Sequence, residues 1–254
     1  MYRIKNELKC LYYCFRSYPE TRIIRDLIGD VEKPIYHFHV RKTAGTSLNF
    51  AFLSNGGNSQ DLFQKLLKKW NKRIVEQDKI FVGWNTCLLN KGQFHFAFSH
   101  TPHHQIKIPK HAYTFTCLRD PVERILSHYN MLLLYRKTGV FHSGMRQEIK
   151  WLGKDFGEFL TNVPKNHLLN QLYMFSKKFD LAESIDVLEG LNKVIFTEDL
   201  ERGIKELEND TGWTLPLYHI QKNTEKALIG AQELIRLRDV LKPEYDLIDR
   251  LKGS

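Results

Sequence analysis

Residues 35–48 read IYHFHVRKTAGTSL. Ile35, Tyr36, Phe38 and Val40 are β-branched or aromatic, so the stretch opens as a short strand. It breaks at Arg41 into a basic, hydroxyl-rich turn that runs to Ser47 and contains a single glycine, Gly45. Leu48, Ala51 and Phe52 then carry the spacing of a helix. A strand that passes through a tight turn into a helix N-terminus binds anions of the phosphate kind. The first backbone N–H groups of a helix have no partner within it, and the helix dipole makes that end positive. Gly45 lets the backbone approach a ligand with no Cβ in the way. Lys42 adds a full charge, and Thr43, Thr46 and Ser47 add hydroxyl donors.

The turn is not a Walker loop. GxxxxGK[ST] places its lysine after the glycines, whereas Lys42 precedes Gly45. A Walker loop also holds magnesium through the hydroxyl after its lysine, with help from a distant aspartate. Thr43 stands in the place of that hydroxyl, but no apolar strand ending in such an aspartate follows.

The 254-residue chain has room for one large α/β domain or two small ones. A hydrophobic share of 42%, with 12% aromatic, supplies a full core. The formal net charge of +9 points to a polyanionic ligand or an anionic surface. No zinc-finger spacing or RNA-recognition signature goes with it, so nucleic acid is not the expected partner. Cys10 and Cys14 lack the second pair that would complete a zinc site. Cys117 falls in a predicted buried strand as a small core residue. Neither these nor Cys87 demand an oxidising compartment. No apolar run reaches membrane-spanning length, and Arg16 interrupts the one brief apolar patch near the start, so no signal peptide is expected. The expectation is a cytoplasmic protein, with a peripheral membrane contact or a trimmed lumenal domain as alternatives.

Residues 1–33 read as a helical extension before a domain at 34–254. Over 61–77, Phe63, Leu66, Leu67, Trp70 and Ile74 share one helical face, and Lys65, Lys68, Lys69, Lys72 and Arg73 the other. That basic face is either simply solvated or a landing strip for an acidic polymer. Residues 94–99 alternate as a strand and lead into His100, His103 and His104. A second strand spans 113–118, and Pro121 suits the first turn of a helix that runs to about Lys137. Residues 138–157 lack periodicity and read as a loop or lid. Helical patterns return at 155–161, 165–176 and 181–189. A strand at 193–196 precedes a helix with Thr197 as its N-cap. Polar residues 219–225 precede a last helix or two. Strands alternating with helices predict an α/β fold, a mostly parallel sheet covered on both faces.

Residues 113–129, YTFTCLRDPVERILSHY, form the second informative stretch. Arg119 ends a strand and so lies at the carboxyl edge of the sheet, where open α/β folds bind ligands. Its guanidinium can fork onto a phosphate, and Ser127, on the following helix, can donate to the same group. Two anion sites side by side suit a nucleoside with phosphates at both ends. HVRKTAGTSL followed by CLRDPVERILSHY resembles the two cofactor motifs of sulfotransferases that use 3′-phosphoadenosine 5′-phosphosulfate (PAPS). The resemblance is nearest to the carbohydrate branch typified by heparan sulfate 2-O-sulfotransferase and its bacterial relatives. VIFTEDLERGIKELEND and the closing segment are similar to that branch too, so the likeness covers about residues 34–250.

The resemblance implies a single-domain, P-loop-kinase-like sulfotransferase fold, PAPS as donor without a metal, and a saccharide acceptor: polysaccharide, oligosaccharide or glycolipid. An anionic saccharide suits the basic helix. By the same resemblance, Arg41, Lys42, Thr43, Ala44, Gly45, Thr46 and Ser47 hold the 5′-phosphosulfate. Arg119 and Ser127 bind the 3′-phosphate, and Lys222, Asn223 and Thr224 form a late loop over the nucleotide. Asp120 and Arg124 are read as a cap and a brace. The acceptor hydroxyl needs a general base, and histidine is the usual choice near neutral pH. His100 ends a strand where the family places its base. That branch often pairs histidines one residue apart, whereas His103 and His104 are the neighbours here, so they stay open as alternatives. His95 reads as a core histidine, and no cysteine or carboxylate joins the cluster at metal-ligand spacing. Lys42 would stabilise the leaving phosphate and thus act catalytically. The rivals are a phosphotransferase using ATP and magnesium, and a non-catalytic polyanion-binding module.

Overall fold

The computed structural model describes residues 33–69, 72–139, 145–218 and 227–253. The expected extension before Lys33, the cysteines Cys10 and Cys14, Trp70, and the late-loop residues Lys222, Asn223 and Thr224 lie outside the described residues. Among the described residues, six strands form one sheet: β1 (Ile35–Phe38), β2 (Arg73–Glu76), β3 (Lys79–Gly83), β4 (Phe96–Ser99), β5 (Tyr113–Leu118) and β6 (Lys193–Phe196). Their order is β2-β3-β4-β1-β5-β6. The β2–β3 hairpin is antiparallel, and every other neighbouring pair is parallel. β4 and β5 flank β1 on opposite sides. Successive connections therefore leave β1 in opposite directions, and a crevice opens at the carboxyl ends there.

Period-two alternation sorts β1 between two cores. Ile35 faces one core with Phe52, Phe96, Phe98 and Phe115, under α1 (Gly45–Leu53), α2 (Ser59–Lys68) and α9, which spans Leu200–Thr211. Tyr36 and Phe38 face the other core with Leu89 of α3 (Thr86–Lys91). A third apolar cluster joins α4 (Pro121–Thr138), α5 (Phe156–Asn162) and α10, which spans Ala231–Gly253, through Ile125, Phe159 and Leu237. α6 (Lys165–Leu168) joins the third cluster through Leu168, and α7 (Asn170–Tyr173) and α8 (Leu181–Glu189) join the second core through Leu172 and Leu188.

α4 starts as its sequence predicts. Pro121 occupies the first turn, and the Asp120 carboxylate accepts from the Glu123 N–H at 2.8 Å. β5 and β6 fall where expected, and Cys117 is a buried free thiol. Cys87 is disulfide-bonded. No helix among the described residues is long and apolar enough to cross a membrane.

Three local readings need correction, whereas the closing segment, expected as a helix or two, is one. The helix expected over 61–77 stops at Lys68, and β2 follows. Ile74 satisfies a helical spacing by coincidence; it is buried in a strand whose hairpin turns through Gln77 and Asp78 at φ 48° and 57°. Arg73 of the supposed basic face is buried, and the Lys72 ammonium bonds the Leu67 carbonyl. The helix expected over 165–176 is two short ones, broken at Leu169. Thr197 opens a 3₁₀ turn, and Asp199 takes the N-cap position of α9. The closing segment is the single helix α10, with Pro243 inside it.

Candidate active site

The turn after β1 stores strain. Lys42 and Ala44 hold φ of 67° and 59° without being glycine, at about 1–3 kcal/mol each. Thr43 pins the turn from below: it is buried, and its Oγ1 donates to the Val40 carbonyl at 3.0 Å. The Leu48 N–H reaches the Ala44 carbonyl at 3.2 Å as the first bond of α1. The N–H groups of Gly45, Thr46 and Ser47 therefore stand ahead of the helical ladder. No side chain caps them and no acid lies in the first turn, so this positive end is bare.

Arg119 meets that turn. The β1–β5 register sets Phe38 beside Thr116, and the Arg119 guanidinium donates to the Lys42 carbonyl at 3.4 Å and to Glu123 at 3.3 Å. Its backbone is clamped by Gln171, which accepts from the Arg119 N–H at 2.9 Å and donates to its carbonyl at 3.1 Å. Gln171 is held in turn by Glu244, which pairs with Arg124 at 3.3 Å; Arg124 and Glu244 are both fully buried. Arg124 is thus a brace for the Arg119 turn, and Asp120 is a cap. On α4, Glu123, Ser127 and Met131 follow at four-residue intervals on one face. Glu123 touches Arg119, and Met131 touches the Lys42 ammonium at 3.4 Å through its sulfur. Ser127 lies between them, facing the same crevice, and among the described residues its hydroxyl makes no hydrogen bond.

Lys42 has no carboxylate partner within ion-pair distance among the described residues. Burial first, then Arg119 and Arg41, push its pKa down to about 8, against the pull of Glu148. Arg41 does not offer its side chain to the turn's anion site. Its guanidinium forks onto Glu148 at 2.7 and 3.0 Å, and Glu148 also bonds His128 Nε2 at 2.9 Å. The Arg41 N–H is engaged as well, by Asn170 at 3.2 Å. Thr43, with its hydroxyl turned inward, contributes backbone only. The bare donors of the turn are Lys42 and the N–H groups of 45–47, joined by the hydroxyls of Thr46 and Ser47.

His100 follows β4, the strand on the other side of β1. Its Nδ1 donates to the His39 carbonyl at 2.7 Å, which leaves Nε2 with a free lone pair. His100 is exposed, yet deep enough that burial, followed by Arg41, pushes its pKa down to about 4. The ring is open to water, which softens the shift without changing its direction. His103 and His104 do not join it. The His103 ring packs on Phe38, 5.6 Å between centroids, and His104 on Tyr173 at 5.2 Å, on the opposite face of the sheet. His95 accepts the Ile80 N–H on Nδ1 at 3.0 Å within the sheet.

Several residues of the site escape a reading of the sequence: His37, His39 and Asn49 behind His100, and Glu148, Gln171 and Glu244 around the two arginines. Period two does place His37 and His39 on the face of Ile35, and Asn49 lies one turn beyond Gly45. Nothing local points to the other three, whose partners lie 20 to 120 residues away.

The sequence model of the sulfotransferase family matches residues 25–209, more than half of the chain. No curated protein and no solved structure matches it. The match contains both the Lys42 turn and the Arg119 turn and the strand ends that bring them together, and the chain belongs to the sulfotransferase family.

Proposed function

We propose that the protein moves a sulfuryl group from PAPS to a hydroxyl of a saccharide, with His100 as general base and Lys42 stabilising the leaving phosphate. The observation that carries this reading is the Arg119–Lys42 contact at 3.4 Å. It brings Arg119 and the Lys42 turn onto one rim of the sheet, which a single ligand with phosphates at two ends would need. Burial, followed by the crowding of Arg119 and Arg41, depresses the Lys42 pKa, and that crowding fits a site that wants an anion. When bound, PAPS supplies the sulfuryl group and departs as 3′,5′-bisphosphoadenosine. Lys42 and the N–H groups of 45–47 bind the 5′ end and offset the charge that grows on the bridging oxygen. Arg119 and Ser127 bind the 3′-phosphate. His100 Nε2 takes the acceptor proton, and the His39 carbonyl steadies the imidazolium through Nδ1–H. The saccharide class rests on the likeness of the paired motifs to the carbohydrate branch.

The ATP–magnesium reading loses support at two groups. The Thr43 hydroxyl is committed to Val40, and the Asp120 carboxylate to the α4 cap and the Tyr245 hydroxyl at 3.0 Å. The basic face that the polyanion-binding reading relied on is shortened, since that helix ends at Lys68 and Arg73 is buried.

The test is transfer from labelled PAPS to a panel of saccharides by the full chain. His100→Ala is expected to lower kcat by about 10²–10⁴ and Lys42→Ala by about 10²–10³, each more than it weakens nucleotide binding. Unchanged turnover in Lys42→Ala would contradict the mechanism. Transfer to phenols or amines alone would replace the acceptor class.

A further inference from the structure

The hollow left by Gly45 is already filled. A Cβ there would lie 1.9 Å from His39 Cδ2 and 2.1 Å from its Nε2. Ligand approach is therefore not what demands the glycine; the His39 ring is. On its other side that ring lies 4.2 Å from the His100 ring, tilted by 44°, while the His39 carbonyl accepts the His100 Nδ1–H. Asn49, one turn after Gly45 in α1, donates to His39 Nδ1 at 3.2 Å and accepts from His37 Nδ1–H at 2.8 Å. His37 is sandwiched between the rings of His39 at 5.2 Å and Phe115 at 4.6 Å. Its Nε2 is buried without a partner. An apolar pair would fill this space without leaving a polar atom unsatisfied.

We propose that His39 is a positioning residue whose imidazole is wedged between the anion-binding turn and the base, so that the seating of α1 sets the placement of His100. Rotation of the ring is blocked by Gly45 on one side and gives up Asn49 on the other. Gly45 and Asn49 ride on the same helix, so any shift of α1 on anion binding carries the ring with it, and His100 follows. The proposal rests on the reading of His100 as base.

The test is a double-variant cycle on the full chain with two readouts: affinity for 3′,5′-bisphosphoadenosine, and the His100 tautomer by nitrogen-15 NMR. Gly45→Ala should weaken binding about tenfold, the size of an overpacking penalty. His39→Ala alone should stay within about threefold, and adding it to Gly45→Ala should recover most of the loss. Wild-type His100 should show a single Nδ1–H tautomer, and His39→Ala a mixture. His39→Phe, which keeps the wedge, should keep the single tautomer and leave Gly45→Ala as damaging as before; it serves where the alanine variant fails to fold. Additive losses in the double variant, or a His100 tautomer lost in the Phe variant or indifferent to the Ala variant, would overturn the proposal. Failure of the wild type to bind the nucleotide would instead count against the donor reading, and the tautomer series would still judge His39.

Discussion

At Lys42, burial and two guanidinium groups bear on one ammonium, and in the proposed reaction that ammonium is the group a bound anion needs charged. Its pKa of about 8 means that free protein loses this charge above that pH. His100 must be neutral to accept a proton, and with a pKa near 4 it is neutral from mildly acidic pH upward. The free enzyme should therefore show a kcat/KM profile with an acid limb below the usual histidine value, from His100, and an alkaline limb near pH 8, from Lys42. A bound anion favours the charged lysine, so the alkaline limb of kcat should move higher. An acid limb at the usual histidine value would remove His100 from the role. Lys42, Gly45, Arg119 and His100 are legible in the sequence because each sits where a strand ends, and strand ends have local signatures. His39 is not legible as more than an alternating strand residue. Its importance comes from what fills the space beside Gly45, and that is a fact about packing.

α4 shows what holds the arginine-bearing turn in place. Arg124 and Glu244 are both fully buried and make their charges tolerable only together. Removing one partner strands the other in a low-dielectric interior. Arg124→Ala should destabilise the protein by about 3–5 kcal/mol in urea unfolding, and it should weaken nucleotide binding by loosening Gln171 and with it Arg119. A loss below about 1 kcal/mol would mean that water already reaches the pair. The exposed Lys65–Glu76 pair, at 2.8 Å, should by contrast show no measurable change on truncation of Lys65. The α4 start was readable from Asp120-Pro121, since cap chemistry is local. The α2–β2 boundary was not, because Ile74 fits a helical stripe and a strand alternation equally well. The β3 partner strand and the turn at Gln77–Asp78 decide between them.

At the scale of the molecule, the alternating pattern was enough for a mostly parallel sheet with helices on both faces, while the antiparallel hairpin at its edge was not foreseen. The fold also carries histidines buried in the neutral state. Burial drives the fully buried His37 down to about 3 and the partly buried His167 to about 4. The unfolded chain protonates each near the ordinary value of about 6.5. The stability contributed by their neutral forms is thus complete above that pH and is lost as pH falls toward 4. The melting temperature should decline steadily over this interval, and a flat profile down to pH 4.5 would contradict the assignment of these rings as buried and neutral. A thiol titration of the unreduced full chain would read the bridge at Cys87 directly. The central claim is that the Lys42 turn and Arg119 grip the two ends of one nucleotide. Melting of the full chain with 3′,5′-bisphosphoadenosine tests this most directly, because a ligand of the native state raises the melting temperature. The account predicts a rise that is the same with and without magnesium and that Arg119→Ala and Lys42→Ala each reduce. No rise with this nucleotide, or a rise with ATP that depends on magnesium, would contradict it.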